Sequence, residues 1–134
     1  MLAAIPLMIV PLIVYNLVMI GLIGGGVADL GSTVTSFSMM SGATWTMSLG
    51  DTLIVLALIL LFVEVLKATR TGPWSAIDHM LSMLVFVAYI VEFLLVRDAA
   101  TQVFFILMVI ALIDVIAGFS VAIRSAGRDV SIGL

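Results

Sequence analysis

Asp114 is the residue of this sequence best placed to do chemistry. It interrupts the run QVFFILMVIALIDVIAGFSVAI, residues 102–123, which is otherwise free of charge. If that run crosses a bilayer as a helix, Asp114 lies about 18 Å from the outer end, near the midplane. An ionised carboxyl there costs about 2.5 to 3.5 kcal/mol on insertion scales, so it must face protein or water rather than lipid. Two roles suit such a group. It binds a proton or cation, or it joins helices through hydrogen bonds. Leu107, Ala111, Gly118 and Val121 share its helix face. Ala111 and Gly118 are small enough to let a neighbouring helix pack closely beside the carboxyl.

Asn16, Tyr89 and Glu92 are the other polar side chains expected within the membrane. Counted from the outer ends of their own runs, Asn16 and Tyr89 lie about 12 Å deep and Glu92 about 7 Å deep. Helical side chains lean toward their own N-terminus, so Tyr89 leans inward and Asp114 outward. Tyr89 and Asn16 are therefore the expected partners of Asp114. Asp78, Ser82, Val85, Tyr89 and Glu92 recur at helical spacing and form a polar stripe. That stripe either lines a hydrated path or makes a seam facing the bundle, with Asp78 and Glu92 near headgroups. Glu64 and Lys67, three residues apart, read as an ion pair with a snorkelling lysine. His79, the sole histidine, reads as an interfacial polar residue beside a helix start.

Other chemistries find no support in the residues. Cysteine is absent, which removes disulfides, thiolate ligands and cysteine nucleophiles. One histidine cannot supply paired metal ligands, and no metal or cofactor is expected. Gly24-Gly25-Gly26 ends an apolar run rather than following a strand, so it is no phosphate loop. No catalytic residues are assigned, and an enzyme is not expected.

The elements that must position these groups follow from composition. Of 134 residues, 64% are hydrophobic and 10% charged, against about 25% charged in soluble domains. The net charge of −3 offers no cationic face for nucleic acid. The whole chain, 1–134, reads as a single membrane domain. Its charge-poor runs are 3–24, 51–67, 77–96 and 102–123, each near the ~20 residues that cross a bilayer core. None alternates as a β-barrel strand would. The fold class expected is an all-α integral membrane protein, a bundle of four transmembrane helices. The first run is expected to be a true span. It exceeds the 7 to 15 apolar residues of a signal peptide, and no Lys or Arg precedes it.

Lys67, Arg70, Arg124 and Arg128 fall on one side of these spans, and Arg97 on the other. The bias predicts both termini in the cytoplasm, an N-in/C-in topology in a plasma membrane of the bacterial inner type. Loop 25–50 is then external. From 27 to 50 it carries nine Ser or Thr and one charge, with hydroxyls largely alternating with apolar residues. That period predicts an ordered outer loop, either a short β-hairpin turning at Ser41-Gly42 or an interfacial helix. Trp45 and Trp74 are expected as interfacial anchors. Gly21 and Gly25 make a GxxxG spacing for helix packing. Ser75 and Asp78 resemble a capping box, Asp51 an N-cap or first-turn acid, and Gly127 an exit from the last helix.

Two functions fit these readings. The first is a non-enzymatic structural or accessory subunit, forming homo-oligomers or joining other membrane subunits in the lipid bilayer. The alternative is a small proton- or cation-linked transporter or channel built on Asp114.

Overall fold

The computed structural model describes residues 5–70 and 75–133, with side chains as far as 121 and then those of 123, 124 and 127. Trp74 lies outside the described residues. Among the described residues there are four α-helices and one two-stranded sheet, besides 3-10 turns at Val27–Gly31 and Arg97–Ala99: α1 (Ile9–Met19), β1 (Thr33–Ser38), β2 (Thr44–Ser48), α2 (Leu49–Ala68), α3 (Ser75–Leu95) and α4 (Gln102–Gly133). α2, α3 and the part of α4 from Gln102 to Val121 are long and apolar enough to cross a membrane. α4 is the central helix and packs along both α2 and α3, while α1 leans on α2 and α4.

The first element departs from the expected span of 3–24. α1 has 11 residues, about 16 Å of helix, against a bilayer core of about 30 Å. Both ends have a cause in the sequence. A helix starting at residue 3 would put Pro11 in its interior, where the ring clashes with the carbonyl four residues back. Starting at Ile9 leaves Pro11 in the first turn, where an N–H has no helical partner anyway. At the other end Gly21 takes φ +87°. The N–H of Gly21 donates to the Val18 carbonyl at 3.1 Å, and that of Leu22 to the Leu17 carbonyl at 3.0 Å. This paired bond is a glycine-dependent helix stop. Gly21 and Gly25 thus lie past the helix and form no GxxxG packing face, which corrects that expectation. Gly25 instead donates its N–H to Asp29.

Loop 25–50 is ordered around a hairpin, which decides between the two alternatives for it. β1 and β2 pair antiparallel with Phe37 opposite Trp45. These rings stack with centroids 6.1 Å apart. Gly42, at φ +89°, turns the chain, and Met39 N–H closes the loop onto the Ala43 carbonyl at 2.7 Å. The last residue of β2, Ser48, is also the N-cap of α2. Its hydroxyl accepts from Asp51 N–H, and the Asp51 carboxylate accepts from Ser48 N–H, both at 3.1 Å. Asp51 is therefore the first-turn acid of a capping box.

α3 and α4 run antiparallel, joined by a 3-10 turn at Arg97–Ala99. Thr101 caps α4 by accepting from Phe104 N–H at 3.2 Å. The helix does not stop at Gly127 but runs on to Gly133. One glycine costs a helix only about 1 kcal/mol relative to alanine, too little to end it.

The half of the bundle nearest the hairpin is filled by rings around Phe104. Tyr15 meets it edge-on at 4.9 Å, and Tyr89 lies at 5.4 Å. α2 and α4 approach closely there because Gly50 has no side chain. A Cβ at Gly50 would fall 2.6 Å from Val103 Cγ2 and 3.2 Å from the Leu30 carbonyl oxygen.

Candidate functional site

The opposite half of the bundle gathers charge. Glu64, Asp78, His79, Ser82 and Asp114 are all buried. Lys67 lies among them. α2 contributes Glu64 and Lys67 one turn apart near its C-terminus, and α3 contributes Asp78, His79 and Ser82 from its first turns. α4 contributes Asp114, flanked on its buried face by Ala111 and Gly118.

Lys67 is the hub. Its ammonium donates to Glu64 Oε1 at 2.9 Å, to the Ile5 carbonyl at 2.7 Å and to Asp78 Oδ1 at 3.4 Å. All three N–H groups of the lysine are thereby used. Glu64 Oε1 also accepts the Leu7 backbone N–H at 3.0 Å. The cluster therefore holds the turn that leads into the short α1. Residues 5–8 are not helical, and irregular backbone inside a membrane protein persists only where protein or water satisfies it. A carboxylate at that end also opposes the positive end of the α1 dipole.

Asp114 is 4% exposed and lies beside Glu64, with Asp78 and Lys67 also near enough to act on its charge. Its Oδ2 has no hydrogen-bond partner among the described residues, nor does Nε2 of His79. The His79 ring packs on Phe119 at 4.8 Å and lies 3.4 Å from where a Gly118 Cβ would sit. Gly118 thus makes room for the imidazole one turn along from Asp114. Three buried carboxyls and one ammonium lie in this half of the bundle, and the ammonium pairs with Glu64 and Asp78 but not with Asp114. Two facing carboxyls can hydrogen-bond to each other only when a proton sits between them. The arrangement can hold and exchange a proton. Among the described residues no three His, Cys, Asp or Glu side chains converge on a metal-sized position.

Above the cluster, Val85, Tyr89, Leu107 and Ala111 close the interior toward the hairpin end. The expected convergence of Asp114 with Tyr89 and Asn16 does not occur. Tyr89 OH donates to the Met8 carbonyl at 2.9 Å. Asn16 Nδ2 donates to Glu92 Oε2 at 3.1 Å and to the Leu12 carbonyl at 2.8 Å. The polar groups thus sort into two separate places, a buried cluster around Glu64 and Asp114 and a half-buried Asn16–Glu92 pair. The α3 stripe does face inward from Asp78 to Tyr89. Asp78 pairs with Lys67 rather than lying free near headgroups.

Glu64, Lys67, Asp78 and His79 were not singled out as a site from the sequence. The local pairing of Glu64 with Lys67 explains both residues without reference to other helices. The available signal was a mismatch in charge, since Asp78 and Asp114 lie on helices packed against that pair and bring no cation of their own.

Compared with known proteins, the chain matches no family model, no curated relative and no solved structure.

Proposed function

We propose that the chain is a small multi-spanning membrane protein whose work depends on a proton held at the Glu64–Asp114 carboxyl pair. In this reading α2, α3 and α4 cross a plasma membrane. α1 enters from the cytoplasmic side as a half-length helix, and the hairpin stands outside. The bias of Lys67, Arg70, Arg124 and Arg128 supports that orientation. The observation that carries the reading is the buried Asp114 carboxyl, which faces a second carboxyl and has one oxygen without a partner. Holding the entry of α1 needs Glu64 and Lys67, but it does not need Asp114. A proton-linked transporter or channel gives that residue a task.

Reconstitution in liposomes loaded with a pH-sensitive dye tests this directly. Wild type should pass protons down an imposed gradient, and Asp114→Asn should abolish the flux. The amide still hydrogen-bonds, so the variant should keep its helical content and its elution volume. Equal flux from the two proteins, or none from wild type, would remove the proposal.

A second reading, an accessory subunit without chemistry of its own, has one observation in its favour. Only 22% to 33% of the residues in the long apolar segments are buried within the protein, which leaves wide helix faces for other subunits or for copies of the same chain. Purification in mild detergent separates the readings. A stoichiometric partner of another kind supports the accessory role, and a pure preparation that still passes protons in liposomes supports the transporter.

A further inference from the structure

An open groove of about 510 Å³ runs between α1 and α3, on the side where these helices separate. Leu12, Leu84, Val87 and Ala88 line it with hydrocarbon, Asn16 and Glu92 are its polar groups, and Leu95 and Val96 carry it one turn further. We propose that this groove binds a membrane lipid carrying a primary ammonium headgroup, an ethanolamine-type phospholipid, with the ammonium on Glu92 and one acyl chain along the apolar wall.

Charge complementarity favours that occupant. Among the described residues the ion pairs are those of Lys67, so Glu92 has Asn16 as a donor and no cation. A carboxylate accepts more than one hydrogen bond, and Asn16 fixes its orientation without neutralising it. An ammonium with N–H donors completes the set, and charge-assisted bonds of this kind are the strong ones. An anionic headgroup would be repelled, and a quaternary ammonium has no N–H to donate.

Depth agrees with charge. Glu92 lies one turn from the end of α3 at Leu95, where headgroups meet the hydrocarbon. Leu84 lies eight residues further in, about 12 Å, so the wall below the carboxylate has the direction of an acyl chain. With α3 spanning a bilayer, the molecules beside its exposed face are lipids. The proposal rests on the membrane-spanning reading but not on proton transfer at Asp114.

The test is native mass spectrometry of the protein released from nanodiscs of equal phosphatidylethanolamine, phosphatidylcholine and phosphatidylglycerol. Wild type should retain about ten phosphatidylethanolamines for each phosphatidylcholine or phosphatidylglycerol, as expected for one charge-assisted bond. Glu92→Gln keeps the acceptor for Asn16 and should lose that preference. Ala88→Leu, which fills the groove and leaves Glu92 intact, should reduce bound lipid of every headgroup. Wild type that retains the three lipids in bulk proportion overturns the proposal, as does a Glu92→Gln variant that keeps the enrichment. If dodecylammonium binds in a Glu92-dependent way while phosphatidylethanolamine is not enriched, the occupant is a free amphiphilic amine and the lipid assignment falls. Wild type that does not enter nanodiscs at all would overturn both this proposal and the membrane reading.

Discussion

The hydroxyl of Tyr89 donates to the backbone carbonyl of Met8, 2.9 Å away and 81 residues apart in sequence. Both residues are fully buried. The bond ties the middle of α3 to the residue just before α1, where the chain has not yet become helical. Tyr15 makes the corresponding tie at the hairpin end, donating to the Asp98 carbonyl at 2.8 Å with Thr101 Oγ1 at 2.7 Å.

The two tyrosines should differ in worth. Tyr89→Phe removes a buried bond to the Met8 carbonyl, which as the N-cap of α1 keeps its helical bond, at a cost of about 0.5 to 1.5 kcal/mol. Tyr15→Phe frees a carbonyl in an exposed turn that water can reach, and should cost about 1 kcal/mol or less. Reversible unfolding in mixed micelles measures both, and a larger loss for Tyr15→Phe would contradict the assignment of Met8 to the interior.

Gly50→Ala should destabilise the bundle by about 1 to 3 kcal/mol through overpacking against Val103. Helix propensity pulls the other way by about 1 kcal/mol, so the sign of the result decides which effect wins. Trimming the facing side chain in Gly50→Ala/Val103→Ala should recover part of the loss. A double variant no better than the sum of the single changes would show that Val103 is not the obstacle.

Lys67→Met removes the one ammonium among three buried carboxyls and frees the Ile5 carbonyl. Loss of one member of a buried ion pair costs about 3 to 5 kcal/mol. Changing Glu64 to Gln in the same chain should soften that loss, because the strongest uncompensated charge goes with it. Thermal unfolding of the four proteins gives the coupling, and strict additivity would mean that Lys67 and Glu64 do not act together.

Orientation is open to labelling because the chain has no cysteine. An impermeant thiol reagent applied to intact cells should modify Ser36→Cys and spare Ser131→Cys. The reverse pattern would invert the proposed topology.

What the sequence disclosed depended on the range of the interaction involved. α2, α3 and the first part of α4 were legible because each is an apolar run read locally, and the hairpin because hydroxyls alternate with apolar residues through Phe37 and Trp45. α1 was overread. Hydropathy counts Pro11 and Gly21 as part of a run, whereas the backbone treats one as a start and the other as a stop. Asp114 was legible as a residue that needs a partner, but not with its partner. Depth along each helix is a sum over residues, whereas the meeting of Asp114 with Glu64 depends on how α2 and α4 are rotated against each other. That rotation is set by contacts such as Gly50 on Val103, which no single segment reveals.

Ser48 belongs to the sheet and caps the helix, so no flexible linker separates β2 from α2. The Glu64–Lys67 pair rides on the same helix, four turns further along. A twist of α2 about its long axis, from whatever cause, must therefore swing the hairpin as a rigid pointer. The stacked Phe37 and Trp45 rings would then move with a rearrangement made at the far end of α2, with no signal passed through the packed interior between them.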